Sequence, residues 1–252
     1  MVVDLRWIAW CAIIACAIVL AGCRSPAPPT GTMASEDTLA TKAMLDSAKQ
    51  LLGLGHFERA ETLVRSVLEI SPAPSAHHTV ALGMQGTIWR RHNQPDSSIV
   101  YHRKAVEQAA VLGDKQQEAS ARMNLGGALG SIGDQVAALE QHLLALRLKE
   151  ELGDSIGVGR SLNNLGILHL GTGDTALAES SFRQALQIQR RMGDSLSWHR
   201  SLINLAVVEI ELGRADIALA HLREALRVRP ERNLMFSEAG ILANMALAYE
   251  AL

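Results

Sequence analysis

The chain reads as an all-α solenoid of stacked antiparallel helix hairpins, and three features of its 252 residues lead to that fold class. First, Asn93, Gly113, Gly133, Gly153, Gly173, Gly193, Gly213 and Asn233 stand twenty residues apart. Glycine and asparagine enter the left-handed helical region at least cost, so each can stop a helix and turn the chain. Second, Asp114, Asp134, Asp154, Asp174 and Asp194 each follow one of these glycines. An aspartate there can accept a hydrogen bond from the free N–H groups that open the next helix. Third, small residues recur every forty residues, which makes the repeating unit two helices. Each twenty-residue interval leaves room for a helix of roughly 17–18 residues.

The residues at the front are of another kind. Arg6 gives a weakly positive start, partly offset by Asp4, and Ile8 to Leu20 is an apolar run. That run is short for a membrane span. It ends in Leu20-Ala21-Gly22-Cys23, which resembles the lipobox of bacterial lipoproteins. The resemblance implies that residues 1–22 are a signal peptide and that Cys23 becomes the lipidated first residue of the mature chain. The alternative is an uncleaved N-terminal membrane helix. Residues 23–36 contain Pro26, Pro28 and Pro29 and too few apolar side chains for a core, so they are expected to form an extended tether. At about 3.1 Å per residue, such a tether reaches roughly 40 Å from a membrane. Arg24 follows the cysteine, where the enterobacterial sorting rule places aspartate in proteins kept at the inner membrane. The resemblance therefore implies an outer-membrane protein facing the periplasm.

Cysteine usage and charge agree with that placement. Cys11 and Cys16 lie in the segment to be removed, which leaves Cys23 and no pair for a disulfide. Net charge is −2, and loss of Asp4 and Arg6 leaves it unchanged. Neither this balance nor the 4% aromatic content gives a reason to expect nucleic-acid binding.

Residues 37–252 carry the repeats, with about five hairpins and one terminal helix. Gly86, Gly126, Gly166, Ala206 and Ala246 form one column. Ser98, Ala138, Ala178 and Ala218 form a second, and Ala105, Ala145, Ala185 and Ala225 a third. Close helix approaches admit only small side chains, so these columns mark packing contacts. Leu82, Leu162, Leu202 and Leu242 line up beside them, with Arg122 as the exception.

Asn163-Asn164-Leu165-Gly166, followed by Ala178, Phe182 and Ala185, resembles the tetratricopeptide repeat. Pro72 and Pro230 match the proline that often ends that unit. The resemblance covers roughly residues 40–252 in a 40-residue variant of a motif usually 34 residues long. It implies a right-handed superhelix that binds proteins or peptides in its concave groove. The chain departs from the family pattern at His169 and Glu209, where an aromatic is preferred. The first unit, with Ala48, Gly55, Ala60 and Pro72, diverges and reads as a capping repeat. The terminal helix is apolar nearly all round, with Ile241, Leu242, Met245, Leu247, Ala248, Tyr249 and Leu252. That suits a helix covered on both sides, by a partner or by further chain, better than a polar cap.

Asn124, Asn164, Asn204 and Asn244 occupy one column of the first helices. Asparagine is slightly unfavourable in a helix, and its amide both donates and accepts, so a ladder of amides can hold an extended peptide backbone. The same amides could instead tie neighbouring helices together. Arg160 and Arg200 lie four residues before Asn164 and Asn204, on the same face. Two guanidinium groups beside two amides suit an acidic side chain or a C-terminal carboxylate. They could equally pair with Asp or Glu of a neighbouring helix.

Other chemistry finds little support in the sequence. The nine histidines include no i, i+4 pair of the kind that binds zinc on a helix. His102 and His142 fall one repeat apart, where packing explains them. Gly126-Gly127-Ala128-Leu129-Gly130 lacks the Gly-Lys-Ser/Thr ending of a phosphate loop, and no serine sits in a nucleophile motif. The expectation is a non-catalytic lipoprotein adaptor that needs no cofactor and holds a protein or extended peptide, with an oligomeric state the sequence leaves open. The rival is the sensing module of a longer signalling protein.

Overall fold

The computed structural model describes residues 32–227 and 234–252, with side chains from 38 to 227 and from 238 onward. The signal peptide, Cys23, Asn233 and Pro230 lie outside the described residues. The chain forms two units, 1–43 and 44–252. What is described of the first is the start of helix α1 (Thr32–Gly53). This helix begins before the boundary expected at residue 37, because Pro29 is the last proline that bars a helix there.

The second unit holds the rest of α1 and the helices α2 (Phe57–Ile70), α3 (Ala76–Arg91), α4 (Pro95–Leu112), α5 (Lys115–Ser131), α6 (Gln135–Glu151), α7 (Ser155–Gly171), α8 (Thr175–Met192), α9 (Ser195–Glu211), α10 (Ala215–Arg227) and α11 (Leu234–Glu250). The described residues contain no strand. Consecutive helices from α2 onward pack against each other. This is an all-α repeat solenoid.

The turns form as the twenty-residue spacing requires. Asn93 has φ 57°, and Gly113, Gly133, Gly153, Gly173, Gly193 and Gly213 have φ between 66° and 84°. Four of the five aspartates cap the following helix. Asp114 accepts from the Gln117 N–H at 2.9 Å, Asp134 from Ala137 at 3.1 Å, Asp154 from Gly157 at 2.8 Å and Asp194 from Ser197 at 3.3 Å. Asp174 does not cap α8 and instead accepts from the Thr172 hydroxyl at 3.2 Å.

The small columns are the seams of the array. Ser98, Ala138, Ala178 and Ala218 are fully buried, as are Ala145, Ala185 and Ala225, and Ala105 nearly so. In the glycine column each residue faces a bulky side chain sixteen positions later. A Cβ on Gly86 would lie 2.7 Å from His102, one on Gly126 would lie 2.8 Å from His142, and one on Gly166 would lie 2.6 Å from Phe182. Ala206 and Leu222 share one core cluster at the next step. Ala246 departs from expectation. It is exposed, because among the described residues no second helix follows α11 to cover it. Leu242 is exposed for the same reason. The Arg122 exception keeps its charge satisfied at the edge, with Nε donating to Glu118 at 2.8 Å and Nη1 to Gln141 at 2.9 Å.

First helices of successive hairpins touch one another, α3 with α5, α5 with α7, α7 with α9 and α9 with α11. Among the described residues, no such contact links the second helices α4, α6, α8 and α10. The first helices therefore line the inner side of the curve, and their outward faces form one continuous groove.

Candidate peptide-binding groove

A cavity of about 290 Å³ opens in this groove where α5, α7 and α9 meet the end of α8. It is lined by Met123, Arg160, Asn163, Asn164, Gln189, Leu196, Ser197 and Arg200. The structure thus brings Asn164, Arg160 and Arg200 together, as their four-residue spacing and forty-residue register require. The other asparagines of the column are placed differently. Asn124 is exposed on α5 and Asn244 is half-buried on α11. Asn204 donates from Nδ2 to Asn163 Oδ1 at 3.0 Å, and Ser201 donates to the same oxygen at 2.9 Å. The Asn204 amide therefore joins α9 to α7.

The two arginines also differ. Arg160 reaches Asp194 with Nη2 at 3.0 Å and with Nε at 3.1 Å, and its Nε lies 3.2 Å from the Ser197 hydroxyl. Burial pushes the Asp194 carboxyl up, but the Ser197 hydrogen bonds and the Arg160 charge outweigh it, and the net shift is below the usual carboxylate range. One aspartate therefore caps α9 and holds Arg160 at the groove wall. Arg200 is exposed and has no ion pair among the described residues. It presents a guanidinium that can donate two parallel hydrogen bonds to a carboxylate.

Gln189 and Asn163 extend the site beyond the residues picked out as ligands in the sequence. Gln189 is 1% exposed. Its Nε2 donates to the Gly159 carbonyl at 3.2 Å, while Oε1 has no partner. Gly159 makes that approach possible, since a Cβ there would press on Gln189 Cγ at 3.2 Å. Gln189 falls between the repeat columns, so nothing in the sequence marked it as inward; Lys149, forty residues earlier, is buried in the same register. That lysine pairs with Asp154 at 2.9 Å.

Away from the groove, Glu209 is fully buried, at a position where the family pattern prefers an aromatic. His221 Nδ1 donates to its Oε2 at 2.7 Å, and Arg183 Nη2 lies 3.4 Å from Oε1. Arg183 and Arg214 both reach Glu179, at 2.8 and 2.9 Å. Polar partners thus replace the ring.

Family models described as tetratricopeptide repeat match residues 138–191 and 200–229. These segments are tetratricopeptide repeats. No curated protein matches the chain. Among solved structures, the Rap protein complexed with Competence and Sporulation Factor aligns with a TM-score of 0.72 at 14% identity, over 82% of this chain and 61% of that one. A STAND protein with a tetratricopeptide repeat sensor, from Pyrococcus horikoshii, aligns at 0.69 and 17% identity, over 83% of this chain and 32% of that one. BtubC from P. vanneervenii aligns at 0.63 and 22% identity, over 78% and 84%. The chain therefore spans about a third of the STAND protein and under two thirds of the Rap protein. At these identities the likeness is one of fold, and a tetratricopeptide solenoid is a protein-interaction scaffold.

Proposed function

We propose that this protein is a lipid-anchored, non-catalytic adaptor whose inner groove holds an extended protein segment bearing an acidic group. The observation that carries this reading is the cavity around Arg200. An unpaired guanidinium, the Asn164 amide and the Ser197 hydroxyl converge there. A carboxylate would accept from Arg200, and the backbone of the bound segment would use the Asn164 amide. The Rap protein was solved complexed with Competence and Sporulation Factor, which supports a binding role for a solenoid of this fold. The lipid anchor rests on Leu20-Ala21-Gly22-Cys23 and on the proline-rich residues after it. With Arg24 next to the cysteine, we place the protein at the outer membrane, facing the periplasm.

The test is affinity capture from membranes, wild type beside Asn164→Ala/Arg200→Ala, with the captured proteins identified by mass spectrometry. A partner present with the wild type and absent with the variant supports the groove reading. Identical partners in both would move the interface elsewhere. For the anchor, metabolic labelling with a radioactive fatty acid should mark the wild type and not Cys23→Ser.

A further inference from the structure

Because the second helices do not touch one another among the described residues, each neighbouring pair leaves a furrow floored by the first helix between them. Between α8 and α10 that floor is α9, which packs against both. A cavity of about 550 Å³ opens there. Its apolar lining is Leu186 of α8 with Trp198 and Leu202 of α9, which pack in one core cluster. Leu202 is 2% exposed, while Leu186 and Trp198 are half-buried. The α8 wall carries Arg190 and Arg191, and the α10 wall carries Glu224. Among the described residues, none of these three side chains has a hydrogen bond or an ion pair. One repeat earlier the same register is closed by the chain's own charges. Glu151 stands in the place of Arg191 and pairs with Lys115 at 2.9 Å and with Arg147 at 3.6 Å. Val158 stands there in the place of Trp198. The furrow between α8 and α10 thus combines an aromatic floor with charges that the chain leaves open. No residue lines both this cavity and the one around Arg200, since Trp198 and Leu202 lie on the opposite side of α9 from Arg200.

We propose that this outer cavity binds a short free peptide with apolar side chains. Two guanidinium groups on one wall repel a cation and attract an anion, and the carboxylate on the other wall does the reverse. A matching ligand is therefore anionic at one end, cationic at the other and apolar between. A free peptide has that arrangement in its termini and side chains. Its terminal carboxylate accepts hydrogen bonds from Arg190 and Arg191, and its terminal ammonium donates to Glu224. Its side chains cover Trp198, Leu186 and Leu202 and remove their exposed surface from water. Size agrees with the charges. The volume falls within the roughly 300–1,000 Å³ of small-molecule sites. A sphere of that volume is about 10 Å across, and an extended tripeptide spans about 10 Å.

Calorimetric titration of trileucine into the full chain, held in phosphatidylcholine nanodiscs free of detergent, tests the site. The wild type should bind it. Trialanine keeps both charges without the apolar bulk, and should bind about tenfold more weakly or worse. N-acetyl-trileucine lacks the ammonium and trileucine amide lacks the carboxylate, and each should lose about tenfold on the wild type. Glu224→Gln should no longer distinguish trileucine from its N-acetyl form. Arg190→Ala/Arg191→Ala should no longer distinguish it from its amide. Circular dichroism of each variant checks that the helices are intact. Arg200→Ala, on the other side of α9, should bind trileucine as the wild type does, so a failure at the inner groove and a failure here read differently. A wild type that binds no trileucine up to about 10 mM overturns the proposal. So does binding that both variants leave unchanged, or a preference over a truncated probe that survives in the matching variant.

Discussion

A Cβ on Gly166 would lie 2.6 Å from the Phe182 ring, which is itself fully buried. The helix pair α7/α8 can close to this distance only because position 166 has no side chain. Gly166→Ala gains about 0.8–1 kcal/mol of helix propensity. Overpacking against a fixed ring costs about 1–3 kcal/mol, so the net effect should be a loss. Gly127→Ala is the control, since nothing lies within 4 Å of its Cβ position on the exposed side of α5. It should stabilise by up to about 1 kcal/mol. Denaturant melts of the two variants should move in opposite directions.

His142 and His102 occupy the Phe182 position one and two hairpins earlier, and acid should find them. Burial holds both imidazoles down to about 4, with the Arg90 charge adding to the effect on His102. Above pH 6.5 each is neutral folded and unfolded and contributes nothing. Between 6.5 and 4 the unfolded chain binds a proton that the folded chain refuses, so stability falls as pH falls, and below 4 the penalty levels off. At pH 5 the loss is about 2 kcal/mol per histidine. His142→Phe, which copies the Gly166/Phe182 pair at Gly126, should recover about half of the combined loss. The measurement is the difference in unfolding free energy between pH 8 and pH 5, in wild type and variant.

The regular parts of this structure were legible because they answer to one-residue requirements. Positive φ at seven turns, small side chains at the seams and aspartates before helices each leave a single conspicuous residue type at a fixed interval. Arg160, Asn164 and Arg200 could be placed on one face for the same reason. Their separate roles could not. Whether Arg160 meets Asp194 or solvent, or Asn204 meets Asn163 or a ligand, depends on contacts 34 to 41 residues apart in sequence. Gln189 is one of several polar residues near the end of α8, and only packing shows that it points inward. Ala246 shows the opposite error. Its register was right, but its burial needed a helix that the described residues do not supply.

Glu209 depends on His221 more than on Arg183. At 2.7 Å the imidazole gives the close hydrogen bond to a carboxylate that has no exposed surface, while Arg183 stands off at 3.4 Å. Removing the close hydrogen-bond partner of a fully buried carboxyl leaves it under-satisfied, so His221→Ala should cost about 1–3 kcal/mol. Replacing both by apolar residues, Glu209→Leu/His221→Leu, should cost much less, since no buried polar group is then left without its partner. A double-mutant cycle from thermal or denaturant unfolding measures the coupling, and additive losses would mean that the pair is not coupled.

Arg160 and Arg200 line the same cavity but should respond oppositely to truncation. Arg160 is half-exposed and tied to Asp194, so Arg160→Ala should lower stability by under about 1 kcal/mol, within the range of surface ion pairs. It also frees Ser197 and the groove wall, so partner binding should weaken modestly. Arg200 has no ion pair to lose, and Arg200→Ala should leave the melting curve in place. If a carboxylate of the partner docks on it, affinity should fall about tenfold or more, the loss expected of a charge-assisted hydrogen bond. Arg200→Lys keeps the charge but not the two parallel donors, and should recover only part of that affinity. Calorimetric titration of the captured partner into the three variants, beside thermal melts of each, separates the two roles. Equal binding by wild type and Arg200→Ala would remove Arg200 from the site.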